Sequence, residues 1–381
     1  MTDYRALARS FLEELVAFDT VNPPGSEQPL AQRIAAILSS YGFATQVETV
    51  APNRANVMAS CGESDRKLIL NGHLDIVPPG EGWRHPPFAV TQENGRLYAR
   101  GACDMKGAIA CMMAAAVQAK EEGLIGDQQL ILLFVADEEI DGLGTKAFVR
   151  RFEKGTRNWV VIGEGTQNQV HVAHRGVVRL RVLVNGRQCH AGQPEKGINA
   201  NTLMARFALA VDQLNRDMQR REQPVLPPPS ISLTRMNGGI KDNVVAGSCE
   251  AILDIRTVPG DTAAKLVDEV NAILRGLFGG EEGVSWQVEP FIDVLPGMLE
   301  PTHPLVLKTI EASEKACGRK PQVTYFNGCC DMSCFCAAGF DTLICGPGSL
   351  DQAHTVDEYV TQDQFDAAVE LYKNLIQEAG K

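Results

Sequence analysis

An α/β catalytic domain with a central, largely parallel sheet flanked by helices, carrying an inserted α+β domain, is the architecture this sequence predicts. Three observations predict it. Over the first 165 residues, helical patterns alternate with short apolar runs, as expected of helices layered on a sheet. From Gly176 the pattern changes to strand–helix–strand–strand–helix, and α/β character resumes after about Ser285. A length of 381 residues also suits two domains better than one, at roughly 150 residues per domain. The expected division is 1–175 with 286–381 for the catalytic domain and 176–285 for the insert.

The first element, within MTDYRALARSFLEELVAF, reads as an amphipathic helix near 3–18. It carries Asp3, Glu13 and Glu14 and lacks the apolar core of a signal peptide, so a cytoplasmic protein is expected. A second helix is expected near 27–41 and a strand at Lys67–Leu70. A helix near Lys106–Glu122 follows, then strands Leu130–Val135 and Trp159–Ile162. Met112, Met113 and the alanines after Gly107 read as buried helix packing. The longest strongly apolar run, Leu130 to Ala136, is far too short to span a bilayer.

In the insert, Val178, Leu180, Val182 and Val184 alternate with Arg179 and Arg181, as in a strand with one wet face. A helix near Asn199–Arg221, a Pro-rich linker from Gln223 to Pro229, and strands near Ser230–Met236 and Glu250–Thr257 come next. A helix from about Asp261 to Leu277 completes the unit. Lys plus Arg number 36 against 47 Asp plus Glu, a net charge of −11, with no basic run. That balance argues against nucleic acid or an anionic membrane as the main partner. The eleven cysteines form no CxxC pair, which disfavours a zinc ribbon. The cluster Cys329, Cys330, Cys334 and Cys336 reads as small, half-buried residues of a reducing compartment.

The chemistry-bearing residues follow strand-like runs. Leu68-Ile69-Leu70 leads to Asn71-Gly72-His73-Leu74-Asp75, and Leu97-Tyr98-Ala99 leads to Gly101-Ala102-Cys103-Asp104-Met105-Lys106-Gly107. Leu130 to Ala136 leads to Asp137-Glu138-Glu139, and Trp159 to Ile162 leads to Gly163-Glu164. Taken singly, each acid is as readily a solvated loop residue. Ligands of open α/β sheets, however, bind beyond the carboxyl ends of the strands, where such residues converge. With His354 they supply two imidazoles and several carboxylates, a set suited to two zinc or similar divalent ions bridged by a carboxylate. Asp75, two residues after His73, shares its face of the strand and can accept its second ring N–H. Adjacent Glu138 and Glu139 cannot both face one ion from regular structure, so one is available as a general base.

His73-Leu74-Asp75-Ile76-Val77-Pro78, Asp104-Met105-Lys106-Gly107, Asp137-Glu138-Glu139, Gly163-Glu164 and Gly346-Pro347-Gly348 with His354 resemble, in order, the motifs of the zinc-dependent aminoacylase/carboxypeptidase family. That family includes acetylornithine deacetylases, succinyl-diaminopimelate desuccinylases and carboxypeptidase G. The segments Gly346-Pro347-Gly348-Ser349, Gln352-Ala353-His354 and Asp357-Glu358-Tyr359 are in the style of its deacetylases. The resemblance implies hydrolysis of the amide of an N-acyl amino acid, with a di- or carboxypeptidase or a desuccinylase as the alternative. It implies two divalent ions, zinc or cobalt: His73 and Glu164 on one, Glu139 and His354 on the other, Asp104 between them. Glu138 would be the general base. The insert would be a dimerisation lid whose Cys189-His190-Ala191-Gly192 motif places His190 in the partner's site of a homodimer, on the oxyanion. Asn243, Arg256 and Gly328 would hold the substrate carboxylate, although Arg256 also reads as a plain ion pair with Asp254 or Glu250. Cys329-Cys330 stands where relatives carry hydroxyl residues, and Gly165 where they carry proline. A two-metal phosphoesterase would need a basic phosphate clamp, which the motifs lack.

Overall fold

The structure, a computed structural model, describes residues 2–381. The chain begins with helices α1 (Tyr4–Val16) and α2 (Gln28–Ser40), the hairpin β1 (Ala44–Ala51) and β2 (Arg54–Cys61), and β3 (Arg66–His73). The short strands β4 (Thr91–Glu93) and β5 (Arg96–Tyr98) follow, then α3 (Lys106–Glu121), β6 (Gln129–Val135), α4 (Leu143–Arg151), β7 (Arg157–Ile162) and β8 (Val170–His174). Next come β9 (Gly176–Asn185), β10 (Cys189–His190), α5 (Ala200–Met218), β11 (Ser230–Gly238), β12 (Val244–Val245), β13 (Ser248–Thr257), α6 (Ala263–Phe278) and β14 (Ser285–Val294). The chain closes with β15 (Gly297–Met298), α7 (Pro304–Cys317), β16 (Val323–Phe326), α8 (Met332–Ala337), β17 (Asp341–Ile344), β18 (Tyr359–Thr361) and α9 (Gln362–Ala379).

Two compact units result: one runs to His174 and resumes at Met298, the other is Arg175–Gly297. The first unit is built on a nine-stranded mixed sheet ordered β1-β2-β6-β3-β7-β17-β8-β15, with β16 also on β8. Its centre, β6-β3-β7-β17, is parallel. The β1–β2 hairpin adds antiparallel pairing at one side, and β17 meets β8 antiparallel at the other, where β16 pairs β8 in parallel, so the sheet is mixed. The sequence reading missed this hairpin. Helix α3 packs against α1 and α9. Every residue from Lys106 to Ala119 in it is buried, so its alanines and methionines are core, not surface. A helix hidden all round needs small residues where other backbones come close.

The second unit is a four-stranded antiparallel sheet, β11-β13-β9-β14, with α5 and α6 supplying the opposing apolar faces. Val178, Leu180, Val182 and Val184 of β9 are all buried there, while Arg179 and Arg181 stay exposed. The expected return to the catalytic domain at residue 286 is corrected to 298. Residues 285–294 form the strand β14, paired with β9 from Ser285↔Asn185 to Val294↔Val177. Trp286 and Val288 pack on this unit's own core, which holds the strand to it.

Gly107 shows how tightly the segment before α3 is folded. A Cβ there would lie 2.1 Å from the Ala102 carbonyl oxygen, and the glycine's N–H bonds Gly101 O at 3.1 Å. Neither side can give way, because α3 is enclosed. Gly107→Ala is therefore expected to destabilise the protein by about 1–3 kcal/mol or more. Urea denaturation followed by circular dichroism measures this, and an unchanged midpoint would show that the loop yields.

Candidate metal centre

Parallel strands β3, β6 and β7 point their carboxyl ends to one edge of the sheet. His73 is the last residue of β3, Asp137-Glu138-Glu139 leave β6, and Glu164 stands two residues beyond β7. Asp104 comes from the turn that enters α3, across a cis peptide to Met105. His354 follows β17 and occupies a left-handed backbone conformation, φ 60°, which among non-glycine residues asparagine, aspartate and histidine adopt most often. These five side chains, all expected from the sequence, meet at one place.

Their ligand atoms form two groups, His73–Asp104–Glu164 and Asp104–Glu139–His354, each with its atoms within 4.8 Å of one another. Asp104 belongs to both. Its Oδ1 lies 2.9 Å from His73 Nε2, and its Oδ2 lies 3.2 Å from His354 Nε2. His73 Nε2 also faces Glu164 Oε1 at 3.6 Å, and His354 Nε2 faces Glu139 at 3.1 Å. Each group offers one imidazole and two carboxylates, a donor set that fits a divalent ion of the zinc type. No cysteine enters either group, and no disulfide joins the eleven cysteines. The two groups differ in access. His73 is buried, whereas the His354 side chain is 53% exposed.

The expected Asp75–His73 contact is modified. His73 Nδ1 lies 2.9 Å from the backbone carbonyl of Asp75, while the carboxylate stands back at 3.6 Å. The carboxylate instead accepts the backbone N–H groups of Glu138 at 3.1 Å and Glu139 at 3.2 Å. It also accepts Asn22 Nδ2 at 2.8 Å, and the same amide reaches Asp137 Oδ1 at 3.0 Å. Arg54 closes the network, giving Nη1 to Asp137 at 2.6 Å and Nε to Glu27 at 3.0 Å. The sequence reading missed Asn22, Arg54 and Glu27.

Electrostatics follow from crowding. Burial and then Glu164 push the Glu138 carboxyl well above the ordinary range, and burial with Asp104 does the same to Glu164. Asp331, bonded by Thr145 at 2.6 Å, is pushed by burial up to about 6. Burial also disfavours charge on Asp104, yet hydrogen bonds from His354 and His73 hold it below the ordinary range. Hydrogen bonds to Asp104 and Glu139 raise His354 to about 10. In His73 burial opposes charge, but the Asp104 hydrogen bond and the neighbouring acids outweigh it and raise the imidazole.

The remaining expected residues lie elsewhere. Gly328 is half-buried, three residues before Asp331 in the first unit. His190, Asn243 and Arg256 belong to the second unit. His190 is exposed on β10, where its Nδ1 accepts Gly192 N–H at 3.0 Å. The next residue, Ala191, donates its N–H to Asn243 O at 3.0 Å, so His190 and Asn243 are neighbours. Arg256 gives its Nε to Asp254 at 2.8 Å, which is the ion pair the sequence also allowed.

A mixed α/β fold with two candidate metal-ligand groups at its strand ends suits a metal-dependent hydrolase, and the comparisons show the hydrolase family. The model of the family Peptidase family M20/M25/M40 matches residues 69–378, and the chain belongs to that family. It is 32% identical over 362 residues to acetylornithine deacetylase of Vibrio cholerae, covering 93% of this chain and 92% of that one. Among solved structures, aminopeptidase PepT of Bacillus cereus superposes with a TM-score of 0.79 at 18% identity, covering 99% of each chain. A dinuclear metal-binding M20 peptidase of Bacillus subtilis gives 0.72 at 13% identity, over 98% of each. The last two establish the shared fold. Among the described residues, no helix is long and apolar enough to cross a membrane.

A cation needs the neutral imidazole lone pair, so binding must displace protons from His354 and His73. Zinc titrated into metal-free protein at pH 7–8 is expected to release at least about one proton, and affinity should climb with pH. Calorimetry in buffers of different ionisation enthalpy reads the proton count, and zero release would contradict the arrangement. His354 is raised above its ordinary 6.5, so its ion pairs stabilise the metal-free protein fully below that value. The contribution is lost as pH rises through about 10.

Proposed function

We propose that the chain is a two-metal hydrolase that removes the acyl group from an N-acyl amino acid, in the manner of a deacetylase. The observation that carries this reading is the division of Asp104, one oxygen to each imidazole-bearing group, with the Glu138 carboxyl close enough to His73 and Glu164 to feel their charge. The 32% identity to an acetylornithine deacetylase supports the substrate class. Two divalent ions, zinc or cobalt, held by His73, Asp104 and Glu164 and by Asp104, Glu139 and His354, would supply Lewis acidity toward the amide carbonyl and water, and positive charge that lets Glu138 ionise.

Glu138 then takes the proton of the attacking water and gives it to the departing amine, as a single residue acting first as base and then as acid. Asp75 holds both members of the Glu138–Glu139 pair by their backbone N–H groups, which lets one side chain ligate while the other moves protons. Arg256, Asn243 and Gly328 orient the substrate carboxylate, a role that Arg256 would share with its Asp254 pair. The insert serves as a dimerisation lid, and His190 from a second copy of the chain stabilises the oxyanion. A panel of N-acetyl, N-succinyl and N-formyl amino acids and dipeptides tests the substrate class. Preferential cleavage of dipeptides or succinyl amides would replace the deacetylase reading with its peptidase or desuccinylase alternative.

The adjacent glutamates separate cleanly. Glu138→Gln is expected to lower turnover by about 10²–10⁴ with metal content near wild type. Glu139→Gln should lose or loosen one metal and recover in excess metal, as read by elemental analysis alongside rates. Reversed behaviour would exchange the two roles. For the lid, mixing Glu138→Ala with His190→Ala subunits should restore activity through heterodimers. Proven subunit exchange without recovery would remove His190 from the partner's site.

A further inference from the structure

Glu358 is fully buried, four residues beyond His354 and immediately before β18. It touches no ligand atom of the centre, yet its carboxylate gathers an unusual number of donors. Oε1 accepts the backbone N–H groups of Cys103 at 2.8 Å and Asp104 at 2.9 Å. Gly101 N–H reaches both oxygens, at 3.1 and 3.2 Å, and Arg100 Nη1 gives a 2.6 Å bond to Oε2. The guanidinium, itself buried, leans through Nη2 on the carbonyls of Pro78 and Pro79 at 3.4 and 3.3 Å. Register explains the placement: Tyr359 pairs with Tyr98, and Ala99 N–H bonds Glu358 O at 3.2 Å, which sets the side chain under the turn 100–104. The preceding residue works outward in the same way. Asp357 accepts the N–H of Arg84 at 2.9 Å and Arg84 Nε at 2.6 Å.

We propose that Glu358 is a positioning residue for the metal centre: its carboxylate fixes the turn that presents Asp104 and ties it to the segment that presents His354. This rests on the two-metal reading above. Asp104 must offer two oxygens in two directions at once, so a small rotation of its backbone misplaces both groups together. The charge is needed as well as the shape. All the donors meeting at Glu358 are N–H groups, and an amide in its place would turn an NH₂ toward at least one of them, leaving buried donors unpaired. Residues that orient ligands from behind are typically worth about 10–100-fold in metal affinity or activity.

Glu358→Gln in the full-length protein tests this with four readouts: circular dichroism and melting of the metal-free form, Co²⁺ affinity by competition with a chromophoric chelator, the visible spectrum of the Co²⁺-loaded protein, and kcat and KM on an N-acetyl amino acid. The expected result is a folded protein with Co²⁺ affinity lowered about 10–100-fold. Its cobalt bands should shift and kcat should fall with little change in KM. Added to Asp104→Asn, the substitution should cost little more, because both act through the same carboxylate. Wild-type affinity and spectrum, or losses that multiply in the double variant, would overturn the proposal. Should Glu358→Gln fail to fold, Glu358→Asp keeps the charge and shortens its reach; an intermediate loss of affinity with a shifted spectrum supports the proposal, and wild-type values overturn it. A wild-type protein that binds no cobalt and hydrolyses nothing would overturn the two-metal reading itself, and this inference with it. Normal wild-type binding and turnover alongside unaffected variants would overturn this inference alone.

Discussion

Repulsion among buried carboxylates is the constraint around which the first unit is arranged. Asp75, Asp137, Glu164, Asp331 and Glu358 are all buried near one edge of the sheet, and Glu138 and Glu139 are half-buried beside them. Isolated buried charges are far too costly to tolerate, so each needs donors, a counter-ion or a proton. The structure sorts them by this criterion. Asp75, Asp137 and Glu358 are surrounded by N–H donors, and Asp331 has the Thr145 hydroxyl. Burial still pushes the carboxyls of Glu138 and Glu164 well above the ordinary range, that of Asp331 up to about 6 and that of Glu358 up to about 7. Even Lys106, buried nearby and donating to Phe18 O at 2.9 Å, is drawn by burial down to about 7 and contributes little permanent charge.

The supporting donors come from the start of the chain as much as from the ligand-bearing strands. Asn22 spans Asp75 and Asp137 with one amide, and Arg54 spans Asp137 and Glu27. Asp137 takes a left-handed conformation, φ 73°, which a short acidic side chain can tolerate, at the turn where Glu138 and Glu139 leave the strand. The loop after α1 and the second strand thereby determine the geometry of residues more than eighty positions later.

The candidate residues His73, Glu138, Glu139 and Glu164 were legible because they stand at or just past strand ends, which are marked by apolar runs that stop, whereas His354 lies ten residues past β17 and rested on the family resemblance. Runs of branched and leucine residues, such as Leu130 to Val135, identify a parallel strand buried on both faces, and the acids that follow have few places to go. What escaped was everything that depends on pairing across the fold. The β1–β2 hairpin mixes polar and apolar residues on an edge, so its alternation is faint. Ser285–Val294 is almost entirely exposed or half-buried, with its register set by β9, and so its membership of the insert could not be read locally. Asn22, Arg54 and Glu358 carry no local pattern that announces a role; distance in sequence hides them. The Asp75 case is intermediate. Its face was readable, but the backbone carbonyl reached the imidazole first.

The position of β17 has a consequence for the chain during synthesis. It lies between β7 and β8 in the sheet, although it follows them by well over a hundred residues. A nascent chain that has not reached residue 341 therefore holds its central sheet with a strand-wide gap, and the partners of Thr342 and Leu343 on β7 remain unpaired. The Arg175–Gly297 unit, by contrast, is contiguous in sequence and has every strand it needs once β14 has emerged. Vectorial folding would thus finish the insert first and leave an open, sticky sheet waiting for its middle strand, the interval in which a ribosome-bound chain of this topology most needs shielding from its neighbours.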